Sequence, residues 1–148
     1  MTTVLIDTNL LIYLHDIQEK DKQPKAQAVL MVLEQQKVGR LSIQNLAEFI
    51  HVATKRLKPR MTANEALIQV ELFQQMWPVF DLTFLIVVEA ARGVRDHQLA
   101  YYDAQLWATA RLHQVPVIMS EDFQTGRTLE GVTFVNPFAD DFRLTDWL

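Results

Sequence analysis

The stretch VLIDTNLLIYL, Val4 to Leu14, contains no Lys, Arg or His, and yet it carries an aspartate in its middle. Val4–Ile6 reads as a short buried strand. Asp7 ends it, and the chain runs straight on into Leu10, Leu11 and Ile12. Two readings of Asp7 stand side by side. Asp, Thr and Asn are all good helix N-caps, and a helix starts here on pattern alone. Alternatively, a carboxylate at the end of a strand, with no basic partner in sequence, is a group kept for chemistry.

Working outward, helical and strand patterns alternate. Pro24 opens a helix with Ala26, Val29, Leu30 and Leu33 at i, i+3, i+4, i+7 spacing, and Gly39 is read as its stop. RLSI is a second short strand. Leu46, Phe49, Ile50, Ala53 and Leu57 mark the next amphipathic helix, closed before Pro59. Thr62 and Glu65 form a capping box for a helix with Ala66, Leu67, Val70 and Phe73 on one face, ended by Pro78. Phe84 to Ala91 is a helix or a buried strand, with Gly93 as its stop. Tyr102 to His113 is helical, and VPVIMS and VTFV are strands. Short strands alternating with helices imply a parallel sheet with right-handed crossovers. The expected fold is an α/β, three-layer sandwich forming one domain over residues 1–148. Ligands in such sheets bind outside the carboxyl ends of the strands. Asp7 and Asp122, the latter just after VIMS, both fall there.

Composition narrows the chemistry. With 148 residues, 49% of them hydrophobic, the chain can bury a proper core. There is no cysteine, which excludes disulfides, zinc–thiolate sites and thiol catalysis. His15, His51, His97 and His113 show no ligand spacing. Ser42 and Ser120 lack a nucleophile-elbow context. Four scattered glycines make no phosphate loop, which removes nucleotide-dependent kinases and dinucleotide enzymes. A secretory leader and a membrane span are not expected, and a cytoplasmic location is. The net charge of −4 argues against nonspecific nucleic-acid binding, but KRLKPR gathers Lys55, Arg56, Lys58 and Arg60 within six residues. Taken alone, that run reads as a solvated helix end.

Each remaining acid has a bland reading. Asp122 is a turn residue after a strand. Asp103 falls on the apolar side of a wheel set by Leu99, Tyr102, Leu106 and Ala110, where a carboxylate has to be paired, hydrogen-bonded or metal-bound. It also lies near the start of its helix, where the dipole favours an anion. Glu48 lies on the polar face of its helix, and spacing reads it as solvent-exposed. Glu89 falls beside Arg92 as an ion pair. Carboxylates without Cys or His are the donor set for Mg²⁺ or Mn²⁺. Such ions bring in a phosphodiester, activate a water and stabilise the developing charge. A cation of this kind answers the question that Asp7 raises.

LIDTNLLIYL, SIQNLAEF, YYDAQLWATA and MSEDFQTGRTLEGVTFVNPF follow one another in the order typical of PIN domains. The chain resembles the VapC-type toxins, single-domain ribonucleases of type II toxin–antitoxin systems. The resemblance covers nearly the whole chain and is weakest from Thr62 to Val94. It implies an α/β/α fold and a metal-dependent endoribonuclease, with Mg²⁺ or Mn²⁺ as cofactor. It places the family's four acids on Asp7, Glu48, Asp103 and Asp122, as metal ligands and catalytic groups. Thr8, Asn9, Ser120 and Glu121 become residues supporting those acids. Lys55, Arg56, Lys58, Arg60 and Arg127 become candidate RNA contacts. The implied partners are RNA, a small antitoxin and a second copy in a homodimer. Two features are less typical: the charged loop from Asp16 to Gln23 and the tail ADDFRLTDWL, residues 139–148. Two rivals remain. A PIN-like module without catalysis needs no divalent metal. A phosphatase of the haloacid-dehalogenase type needs D-x-D, and Asn9 stands where its second Asp would be.

Overall fold

The computed structural model describes residues 1–123 and 125–148. Six strands form one sheet: β1 (Val4–Ile6), β2 (Gly39–Ser42), β3 (Val79–Phe80), β4 (Val117–Met119), β5 (Thr128–Leu129) and β6 (Val132–Val135). Their order is β3-β2-β1-β4-β6-β5. All neighbouring pairs are parallel except β5 with β6. The helices are α1 (Thr8–His15), α2 (Lys22–Gln35), α3 (Ile43–Lys55), α4 (Ala63–Met76), α5 (Phe84–His97) and α6 (Tyr101–Leu112).

Strand residues alternate between two cores. Val4, Ile6, Val117, Met119 and Val135 face a core built with α1 to α4. Leu5, Ile118, Val132 and Phe134 face the other, built with α5 and α6. The period of two along buried strands therefore produces three layers, as an α/β/α sandwich requires. From β1 the chain winds outward through β2 to β3, and then returns to β4 on the other side of β1. The switch in direction lies between β1 and β4, where the crevice for a ligand opens at the strands' carboxyl ends.

Several elements differ from their sequence pattern. Gly93 does not stop a helix: α5 continues to His97 and ends on Gln98 at φ 54°. Gly93 is buried because α5 meets α6 there, and a Cβ would stand 2.9 Å from the Trp107 ring. Phe84 to Ala91 is helix, and Phe84 and Leu85 are 81% and 68% exposed rather than core. The helix expected to start at Pro24 begins at Lys22, with Pro24 tolerated inside its first turn. Gly39 opens β2 rather than closing that helix. Leu67 and Ile50 are exposed. β3 and β5, two residues each, are too short to leave a pattern. Helix α6 is buried nearly all round from Ala104 to Ala110, whereas Tyr102, placed on its apolar face by spacing, is 67% exposed. The tail folds back: Phe138, Phe142, Leu144, Trp147 and Leu148 pack on the α1–α4 core. Among the described residues, no helix is long and apolar enough to cross a membrane.

Candidate active site

Asp7 combines both of its sequence readings. It is the N-cap of α1, with its side chain accepting from the Thr8 amide at 2.7 Å. Its other oxygen accepts from the Ser120 hydroxyl, also at 2.7 Å. Ser120 follows β4, so this bond crosses the switch point between β1 and β4. Asp7 is 9% exposed. Burial is the main reason its pKa rises from 3.8 to about 6. The Ser120 and Thr8 hydrogen bonds pull it down, and the charges of Asp122 and Glu48 push it up again. No basic side chain contributes.

Glu48 is half-buried rather than exposed. The Thr8 hydroxyl donates to its Oε2 at 2.9 Å, and Gln44 Nε2 donates to its Oε1 at 2.9 Å. Thr8 Oγ1 in turn accepts from Asn45 Nδ2 at 3.3 Å, and Asn45 completes the Ser42 capping box that starts α3. Gln44 also donates to the Tyr102 carbonyl at 3.0 Å and accepts from Gln105 at 2.9 Å. A line of amides thus ties α3 to the first turn of α6, where Asp103 sits.

Asp103 is half-buried, and its pKa is raised by burial first, then by the charges of Asp122 and Glu48. Asp122 is exposed; its amide donates to Ser120 Oγ at 3.1 Å, and its Oδ2 accepts from Asn9 Nδ2 at 3.3 Å. Asn9 Nδ2 also reaches Ser120 Oγ at 3.3 Å, and Asn9 Oδ1 is buried with no partner.

Asp7, Glu48 and Asp122 line one cavity of about 420 Å³, together with Thr8, Asn9, Tyr13, Asp16, Glu19 and Arg56. Asp103 does not line it, but lies within electrostatic range of two of its acids. Among the described residues, Arg56 is the one cationic side chain on the wall. Lys55, Lys58 and Arg60 are exposed and stand off the cavity. Arg127 donates to the His97 carbonyl at 3.5 Å, at the β5 edge of the sheet and away from the acids. Glu121 bonds Tyr13 and Lys22 instead of the other acids. Sequence reasoning did not single out Gln44, Asn45, Gln105, Tyr13 or Lys22. The signal for Asn45 and Gln105 was a polar residue set among core positions of its helix.

The donor set suits a hard divalent cation: oxygens only, excess negative charge, and a buried aspartate that tends to take up a proton for want of a positive neighbour. Among the described residues, no group of three or more Asp, Glu or His side chains is arranged to hold an ion.

The model of the PIN domain family matches residues 4–128. This chain belongs to the PIN domain family. Three solved structures are similar to it in fold. A toxin–antitoxin complex from Klebsiella pneumoniae has a TM-score of 0.68 at 18% identity, covering 91% of this chain and 98% of the other. A DNA-bound VapBC from Salmonella typhimurium has 0.63 at 20% identity, covering 90% and 97%. VapC20 of Mycobacterium tuberculosis, described as a sarcin-ricin loop cleaving toxin, has 0.61 at 15% identity, covering 78% and 87%. No curated protein matches the chain in sequence.

Proposed function

We propose that this PIN domain is a divalent-metal-dependent endoribonuclease and the toxin of a toxin–antitoxin pair. The observation that carries the reading is the meeting of Asp7, Glu48 and Asp122 around one cavity at the sheet's switch point, with Asp103 in electrostatic range. These four would hold Mg²⁺ or Mn²⁺. Such an ion, when bound, lowers the pKa of water and offsets charge on a phosphodiester. The chain's own groups do the rest. Ser120 and the Thr8 amide hold both Asp7 oxygens in place. Thr8 and Gln44 orient Glu48. Arg56, on the cavity wall, meets a phosphate of the RNA strand. RNA as substrate is supported by the description of the fold neighbour VapC20.

Leu82, Phe84, Leu85 and Val88 form an exposed apolar face that supports a second copy of this chain as partner. An antitoxin is supported by the complexes among the fold neighbours, and the acid-lined cavity suits a basic segment of it. The cytoplasm is the compartment in which such a pair acts.

The test is cleavage of labelled RNA by the purified chain with Mg²⁺, with Mn²⁺ and with a chelator. Cleavage is expected with either ion, and loss of it with chelator, with Asp7→Asn and with Asp103→Asn. Cleavage that survives the chelator removes the metal. RNA left intact with every ion overturns the reading.

A further inference from the structure

The charged loop after α1 brings Lys22, the first residue of α2, against Tyr13, whose side chain lines the acid-lined cavity. The Lys22 ammonium lies 3.0 Å from Glu121 Oε2 and donates to the Tyr13 hydroxyl oxygen at 3.3 Å. It also sits 4.9 Å from the centroid of the Tyr13 ring. The Tyr13 hydroxyl donates to Glu121 Oε1. Both oxygens of Glu121 are therefore engaged, one by each partner. Tyr13 is itself braced by Phe138, edge-on at 5.1 Å between ring centroids. The clasp joins α1, α2 and the segment after β4.

Glu121 stands directly before Asp122, the acid whose amide donates to Ser120 and whose side chain accepts from Asn9. Tyr13 lines the same cavity as Asp7, Glu48 and Asp122. A Glu121 left free there would be one more carboxylate beside a wall that already carries Asp7, Asp16, Glu19, Glu48 and Asp122. Ion pairs at the partial exposure of Lys22 and Glu121, 35% and 22%, add little to stability. Their effect here is on geometry: Glu121 is held by Tyr13 and Lys22, and Asp122 by Asn9 one turn earlier on α1.

We propose that Tyr13 and Lys22 are positioning residues, which hold Glu121 out of the acid cluster and thereby aim Asp122 toward Asp7. The proposal rests on the reading of the acids as a divalent-cation site. Both act through the backbone that carries Asp122.

The sign of one measurement separates positioning from simple charge. Mn²⁺ binding is followed by calorimetry on the full chain, without RNA, for the wild type, Lys22→Met, Lys22→Arg and Tyr13→Phe. Acting through space alone, deletion of a cation beside carboxylates strengthens cation binding. Positioning requires the opposite: Lys22→Met and Tyr13→Phe weaken Mn²⁺ binding about tenfold, the scale of a lost partner behind a metal ligand, and Lys22→Arg restores most of it. A second measurement needs no ion. Amide exchange of the Met119–Phe123 segment is expected to quicken in Lys22→Met and Tyr13→Phe while exchange in α3 stays as in the wild type. Equal or tighter Mn²⁺ binding by Lys22→Met, or unchanged exchange in that segment, overturns the clasp and leaves the acid site standing. A wild-type chain that binds no Mn²⁺ overturns both.

Discussion

Asp7 shows how one side chain can satisfy two demands at once. One carboxylate oxygen caps α1, and the carboxylate lies at the switch point within range of the charges of Asp122 and Glu48. Because its pKa rises to about 6 on folding, the folded chain binds a proton more readily than the unfolded chain does. The stability this contributes is fully present below the unfolded value of 3.8 and is lost as pH rises through about 6. The ion-free protein should therefore melt at a lower temperature at pH 7.5 than at pH 5, as scanning calorimetry without divalent ions can show. Asp7→Asn should flatten that dependence and stabilise the ion-free protein at pH 7.5 by about 3 kcal/mol, since each pKa unit is worth about 1.4 kcal/mol. The same variant should lose RNA cleavage. An Asp7→Asn protein with the wild-type pH slope would move the titration to another group. Ser120→Ala should act in the opposite sense on Asp7, since it removes the hydrogen bond that holds the carboxyl down. The proton should then persist to higher pH in a carboxyl-resolved NMR titration.

At the level of elements, α5 and α6 carry the clearest lesson. Gly93 lies inside α5, where it costs about 1 kcal/mol of helix propensity relative to alanine. The Cβ of Gly93→Ala would meet the fully buried Trp107 ring at 2.9 Å, and overpacking of that kind costs about 1–3 kcal/mol. The close contact wins, so Gly93→Ala should lower the denaturation midpoint; a rise would show that Trp107 gives way. Sequence read Gly93 as a stop because a glycine says only that a Cβ is unwelcome, not whether a turn or a neighbouring helix excludes it. Glu48 was hidden for a related reason. A helical wheel sorts residues against the core, and a cleft wall lies on neither side of that division. The apolar strands β1 and β4, each followed by its acid, were legible because three consecutive buried residues leave a run. β3 and β5 were not, because their two residues each take their place from neighbouring strands. Lys22 and Glu121 stand 99 positions apart, and no spacing rule could join them. The basic run after α3 divides likewise. Arg56 lines the cavity and Lys55, Lys58 and Arg60 do not. Arg56→Ala should lower the salt slope of RNA binding by about one unit, while Lys55→Ala should change it less. Equal slopes for the two would return the run to a solvated helix end.

On the scale of the whole molecule, the acid-lined cavity and the exposed apolar side chains of α5 lie on different elements. Asp7 and Asp122 lie beyond the carboxyl ends of β1 and β4, on a cavity wall that carries five carboxylates and one cationic side chain, Arg56. A cluster of exposed apolar side chains lies on the first turns of α5. Ile86 and Ala90 bury one stripe of that helix against α6, leaving Phe84, Leu85, Val87 and Val88 in water. Leu82, just before the helix, is 49% exposed as well. Exposed apolar clusters of this kind mark contact surfaces. If the second copy binds there, Phe84 is its central anchor. Substitution of Phe84 and Leu85 by Glu should then convert a dimer into a monomer in light scattering. With each anchor worth about 2 kcal/mol, dimer affinity should fall on the order of a thousandfold. Because both side chains are solvent-exposed in the single chain, circular dichroism and the melting of the isolated monomer should hardly change. Mn²⁺ binding should persist as well, since no residue of the acid-lined cavity lies on α5. A wild-type protein that stays monomeric at high concentration would leave this face for a different protein partner.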